Sequence, residues 1–250
     1  MTPNAIHQAA ALLIDARRTG RLLDALPAEC KPVSVDDAHA IQDATVAGLD
    51  ESVAGWKVAS PLEGNVVRGV LLRSRIFASG DAAPAAQMPM LGVEAEIAFR
   101  FERDLPPRER AYDYAEIVAA VTAFVAIEVV DSRFASYRDA PLIERIADCV
   151  SNGGFVQGTP QAKWRDFDLS QLEVELTIDG NSIVRRTGGH PAVDPLLPAF
   201  SLANALRTQG GVRAGQVMTT GTFTGMNYAK PGQTVRAAFE GFGSAEVRFA

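Results

Sequence analysis

The clearest pattern in the chain is a strict alternation over residues 91–101. Val93, Ala95, Ile97, Phe99 and Phe101 fall on one side of an extended strand, and Glu94, Glu96 and Arg100 on the other. Residues 121–132, VTAFVAIEVVDS, follow a different rule: β-branched and apolar residues succeed one another as in a strand covered on both faces. The segment LEVELTIDGNSIVRR reads as two alternating strands turning at Asp179-Gly180. From Val217 to Phe249, short strand-like runs are separated by Pro231-Gly232 and Glu240-Gly241.

Helical spacing prevails at the other end of the chain. Thr2-Pro3 ahead of apolar residues at helical intervals, closed by Gly20, predicts a capped helix. Ser34-Val35-Asp36-Asp37 imitates a capping box and predicts a second helix running to about Gly48. Asp113 and Glu116 stand at capping-box spacing before a helix expected over residues 113–121, and Asp194-Pro195 opens one expected to end near Gly210-Gly211. The division that follows is a helical segment over residues 1–50 and a β-rich catalytic domain over residues 51–250. This is an α+β chain without internal repeats or low-complexity stretches.

Two residues apart on a strand, Glu94 and Glu96 lie on one face with Cβ atoms roughly 7 Å apart, twice the rise per residue. That is a usable bite for one hard cation, but such alternation more often marks a solvated face. Glu173 and Glu175 in LEVELTI repeat it and are expected to be such a face. Glu128 tips the balance, because its neighbours in FVAIEVV are apolar on both sides. A buried carboxylate costs several kcal/mol unless a cation, a metal or strong donors compensate it, and Arg133 is one nearby candidate. Three carboxylates with no Cys or His beside them suit Mg²⁺ or Mn²⁺ rather than zinc. Lys57, between Trp56 and Val58, either snorkels to the surface or faces these carboxylates, where it would hold an anionic substrate or move a proton.

Composition narrows the field further. The 250 residues are 47% hydrophobic and 22% charged, ordinary values for a chain able to bury a sizeable core. A net charge of -6 without a basic run excludes a nucleic-acid footprint. The opening MTPNAIHQAAALLIDARR reads as neither a signal peptide nor a membrane anchor. Cys30 and Cys149 are far apart, so neither a disulfide framework nor a thiolate zinc site is expected, and a cytoplasmic setting fits. His7, His39 and His190 are scattered, which gives a hydrolase triad little support. Ser151-Asn152-Gly153-Gly154 and Thr220-Gly221-Thr222 are loops able to present N–H groups and hydroxyls to a carboxylate, or simply turns.

In order along the chain, AHAIQ (38–42), GWKV (55–58), LGVEAEIAFRFERDLP (91–106), AIEVVDSRF (126–134), ADCVSNGGFVQG (147–158) and GTFTGMNYAKPGQTVRAAFEGFGSAEVRF (221–249) resemble the 2-keto-4-pentenoate hydratase and 4-oxalocrotonate decarboxylase branch of the fumarylacetoacetate hydrolase superfamily. The resemblance implies a mixed β-sheet roll or sandwich behind a helical N-terminal segment. It implies Mg²⁺ or Mn²⁺ on Glu94, Glu96 and Glu128, a catalytic Lys57, and substrate contacts from Ser60, Ser151, Asn152, Gly221 and Thr222. The implied reaction is hydration of a 2-hydroxy-2,4-dienoate by a homo-oligomer, with decarboxylation or carbon-carbon hydrolysis as relatives of the same chemistry. The chain departs from the pattern after Lys57, where Val58-Ala59-Ser60-Pro61 stands, between Glu63 and Asp81, where no acid occurs, and at Cys149, where Asn is usual. The missing acid favours a further alternative, a non-catalytic subunit that binds a 2-oxo acid.

Overall fold

The computed structural model describes residues 1–250. Helices α1 (Pro3–Thr19) and α2 (Val35–Leu49) carry the caps their sequences predict. Thr2 Oγ1 accepts from Ala5 N at 3.2 Å, Ser34 Oγ accepts from Asp37 N at 3.1 Å, and Gly20 leaves α1 at φ 73°. Gly48 does not end α2, which runs on to a left-handed Asp50. It serves packing instead: a Cβ there would lie 2.6 Å from Ile14 Cδ1 of α1.

The rest of the chain contributes β1 (Val53–Leu62), β2 (Asn65–Leu72), β3 (Ile76–Ala78), β4 (Ala82–Ala83), β5 (Gly92–Phe101), α3 (Tyr114–Val118), β6 (Val121–Val130) and α4 (Leu142–Ala147). These are followed by β7 (Asn152–Gln161), β8 (Glu173–Ile178), β9 (Asn181–Thr187), α5 (Leu196–Leu206), β10 (Val217–Thr222), β11 (Asn227–Tyr228), β12 (Thr234–Phe239) and β13 (Gly243–Phe249). The capping box of α3 forms, but the helix stops at Val118 because the β-branched run from Val121 enters the sheet. An eight-stranded mixed sheet runs β2-β1-β10-β5-β6-β7-β3 with β11 added to β5, and a five-stranded sheet runs β4-β13-β12-β8-β9. This is the mixed sheet sandwich the sequence implied.

Side-chain parity explains how the larger sheet is covered. Trp56, Val58, Val70, Val93, Ile97, Phe99, Val125, Ile127 and Met218 join Val174, Leu176, Val235 and Phe249 of the other sheet in the main core. The opposite parity points the other way: Leu71, Ala98, Phe124, Ala126, Phe155 and Val217 form a smaller cluster on the second face. β6 is therefore apolar on both sides, as its sequence predicts. Continuing along that second face, the same parity delivers Lys57, Gly69, Glu94, Glu96, Glu128 and Thr219. By contrast, Glu173 and Glu175 are half-buried outward residues of β8, with Glu173 paired to Arg185 at 2.6 Å. They are the solvated face expected of them.

Candidate active site

Pairing register assembles the site. Glu94 stands opposite Glu128 between β5 and β6, Thr222 opposite Glu96 between β10 and β5, and Lys57 beside Thr219 between β1 and β10. One oxygen from each of Glu94, Glu96 and Glu128 lies within 4.8 Å of the others. Glu96 and Glu128 are buried and Glu94 is half-buried. Oε2 of Glu96 accepts from Thr219 Oγ1 and from the N–H groups of Thr220 and Gly221, both at 3.0 Å. Those donors fix the carboxylate and leave its second oxygen for the cluster. Lys57 does not snorkel: it is buried, and its ammonium donates to Glu128 Oε1. Arg133 is not the partner of Glu128 but is paired with Asp131 at 3.2 Å and Asp148 at 2.6 Å.

Electrostatics explain why this group of residues suits a cation. Burial and the Glu128 charge, opposed by Lys57, raise the Glu94 carboxyl to about 7. Burial, Glu128 and Glu94 raise Glu96 to about 8, against the donors from Thr219 and Gly221. Burial draws the Lys57 amine down, but Glu128 foremost, then Glu94 and Glu96, hold it above its ordinary value. An all-oxygen acidic cluster whose only cationic partner is one ammonium fits a hard divalent cation.

A cavity of about 440 Å³ opens onto the cluster. Lys57, Gly221 and Thr222 line it, Ser60 stands exposed on its wall, and Val66, Leu197 and Pro198 supply apolar surface. Ser151 and Asn152 are not brought to this wall. They are buried behind it, Ser151 Oγ without a hydrogen-bond partner and the Asn152 carbonyl accepting from Arg133 at 3.0 Å. The reason is a left-handed turn: Cys149, Val150 and Ser151 have φ of 53°, 53° and 55°. The turn puts Val150 on the cavity wall and folds Ser151 inward. Each such residue costs about 1–2 kcal/mol, and the buried network around Asp148 holds the conformation. Asp148 accepts from Arg133 Nε at 2.6 Å and Arg17 at 3.1 Å, its carbonyl accepts from Ser151 N at 2.9 Å, and Asp131 N donates to Ser151 O at 2.9 Å. Gly69, opposite Lys57 on β2, makes room, since a Cβ there would lie 2.3 Å from Cys149 O and 2.8 Å from Lys57 Cγ.

Sequence reasoning missed Thr219 and His190. Thr219 was recoverable, because it shares parity with Val217, but nothing in the sequence marks His190. It is buried on the cavity wall, its Nδ1 accepts from Ala192 N at 3.2 Å, and its Nε2 donates to Thr220 O at 3.0 Å. Burial holds its pKa below the ordinary value, against Thr220 and Asp194. With both nitrogens engaged, the ring is a brace for the 190–192 loop and has no free nitrogen to act as a base.

The sequence profile described as "Fumarylacetoacetate (FAA) hydrolase C-terminal" matches residues 70–250. A 2-keto-4-pentenoate hydratase of Burkholderia vietnamiensis (strain G4 / LMG 22486) is 32% identical over 98% of this chain and 98% of its own. A 4-oxalocrotonate decarboxylase of Pseudomonas putida is 27% identical over 82% of this chain and 77% of its own. Among solved structures, 4-oxalocrotonate decarboxylase from Pseudomonas putida G7, complexed with magnesium and adipate, superimposes with a TM-score of 0.85 at 22% identity over 100% of this chain and 99% of its own.

Proposed function

We infer the reaction from the premise that this chain belongs to the fumarylacetoacetate hydrolase family. It is a hydro-lyase that adds water to a 2-hydroxy-2,4-dienoate of the 2-keto-4-pentenoate type, giving a 4-hydroxy-2-oxo acid. The carrying observation is the convergence of Glu94, Glu96, Glu128 and Lys57 at one cavity, in a chain that matches a curated hydratase over its full length. Glu94, Glu96 and Glu128 would hold Mg²⁺ or Mn²⁺, which when bound would supply Lewis-acid chemistry at the oxygen-rich head of the substrate. The C2 hydroxyl proton is lost, C5 gains a proton, and the resulting C3=C4 bond, conjugated with the C2 ketone, takes hydroxide at C4 and a proton at C3.

Lys57 is the group placed to move those protons. Its ammonium is maintained by the carboxylate charges. It therefore gives a proton to C5, and the amine left behind accepts the proton lost from the C2 hydroxyl. The Gly221 and Thr222 segment and Ser60 orient the substrate, while Val66, Leu197 and Pro198 pack against its hydrocarbon end. The engaged nitrogens of His190 argue against water activation of the hydrolase kind.

Decarboxylation is the second reading, favoured by the likeness to the decarboxylases. The wall counts against it. Lys57 is the only cationic residue lining the cavity, so a second carboxylate at the far end of a dicarboxylic substrate meets no counter-charge. Assaying loss of the dienoate's ultraviolet absorbance after EDTA treatment, with and without added Mg²⁺, tests the reading. Metal-dependent loss of 2-hydroxypenta-2,4-dienoate is expected, and turnover of 4-oxalocrotonate alone would replace hydration with decarboxylation.

The same reading includes a homo-oligomer and a cytoplasmic location. The free edge of β9, with Ile183 exposed, supports the first, and sedimentation tests it. No helix is long and apolar enough to cross a membrane, and both cysteines are free and buried.

A further inference from the structure

A second cavity, of about 450 Å³, shares no lining residue with the first. It lies where the last turn of α1 meets the segment after β2 and the end of β6. Arg17, Arg75 and Arg133 all reach its wall, and their carboxylate partners are too few. Arg133 is saturated by Asp131 and Asp148. Arg17 shares Asp148 at 3.1 Å, and its Nε is buried with no partner. Arg75 is paired with no carboxylate: its hydrogen-bond partner is the neutral amide oxygen of Gln87 at 2.6 Å, and Asp131 and Glu51 act on it only through space. Burial, and then the repulsion among these three guanidinium groups, holds Arg17 and Arg75 below their ordinary pKa.

A cation in the last turn of α1 has an ordinary role in meeting the negative end of the helix dipole. That role accounts for neither the orphaned Nε of Arg17 nor the position of Arg75, which comes from another segment. Guanidinium forks converging on a recess, with the Ser132 hydroxyl on its wall, match the donor arrangement that oxyanions require, while the Ser74 hydroxyl is spent on Glu51. We propose that this recess binds a small, multiply charged oxyanion, phosphate or a short dicarboxylate, bridged between Arg75 and Arg17 and independent of the metal-binding face.

The test is calorimetric titration of the whole protein, stripped of metal with EDTA and then dialysed free of that polycarboxylate, so that no anion is held by a metal in the first cavity, at ionic strength matched with chloride. Inorganic phosphate and malonate are the two arms; the tighter binder names the ligand class. Saturable binding is expected, weakened about ten- to a hundredfold by Arg75→Gln. Arg73→Gln, which removes the same charge from an exposed neighbour outside the recess, retains it. The proposal is overturned by absence of saturable binding in both arms, or by equal losses in the two variants. It is also overturned if Arg75→Gln leaves anion binding intact while lowering the sedimenting mass, which would assign the arginines to a carboxylate of a second copy.

Discussion

Binding of a divalent cation to the glutamate cluster should release protons, in a number set by the burial of Glu94 and Glu96. These carboxyls hold their protons up to about 7 and about 8, and a hard cation requires both ionised. At pH 6 binding expels close to two protons; at pH 9 it expels almost none. Integrated between those limits, ionising Glu94 costs about one decade of affinity and Glu96 about two. The association constant for Mg²⁺ should therefore be about a thousandfold lower at pH 6 than at pH 9, roughly 4 kcal/mol. Calorimetric titration in buffers of different ionisation enthalpy measures affinity and proton release together. Glu96→Gln sharpens the experiment. Its amide oxygen can still accept from Thr219, Thr220 and Gly221, which leaves an NH₂ facing the cluster in place of a ligand. Affinity should fall at least about a hundredfold at pH 9, and release at pH 6 should drop from near two protons to near one. An affinity that is flat between pH 6 and pH 9, or an unchanged affinity in Glu96→Gln, would refute the reasoning.

The same groups make the metal-free protein sensitive to pH in the opposite sense. Between about 4.5, where unfolded glutamates ionise, and about 8, the folded state binds more protons than the unfolded one. Stability in EDTA should thus fall as pH rises through that window and level off above it, which denaturant unfolding at pH 5, 6.5 and 8 would show. Lys57→Met should lower kcat by at least about a hundredfold and destabilise the metal-free protein by about 3–5 kcal/mol, since Glu128 loses its partner. Added Mg²⁺ should close most of that stability gap without restoring kcat. Gly69→Ala drives a methyl against Cys149 O and Lys57 Cγ, so kcat should fall while Mg²⁺ affinity stays within a few-fold; unchanged kcat would sink the positioning role given to the turn. Arg133→Met should cost about 3–5 kcal/mol by removing the only ion pair of Asp131 and leaving Asp148 to Arg17 alone, without changing the proton count on metal binding.

Glu128 was legible because a lone carboxylate in an apolar run must be compensated, whichever fold surrounds it. Glu94 and Glu96 were less so, since a period of two separates two faces without saying which is wet. The identical pattern at Glu173 and Glu175 ends on the outside of the other sheet. Lys57 carried the same ambiguity, and only the parity shared with Glu128 across β1, β10, β5 and β6 resolves it. The cavity's far wall was out of reach, because Leu197 and Pro198 come from a helix nearly seventy residues beyond β6. So was the inward placement of Ser151 and Asn152. Left-handed conformation in Cys, Val and Ser has no sequence signature, being imposed by the Arg133 and Asp148 network rather than by local preference.

Active-site substitutions that broaden substrate range usually erode stability. Position 150 escapes that relation. Asparagine tolerates the backbone that valine adopts under strain there, so relief of about 1 kcal/mol offsets the loss of Val150 packing against the helical core while a branched side chain leaves the cavity wall. Adaptation to longer or bulkier dienoates can therefore begin at this residue at little cost in thermal tolerance, leaving the stability of the rest of the wall to absorb further changes.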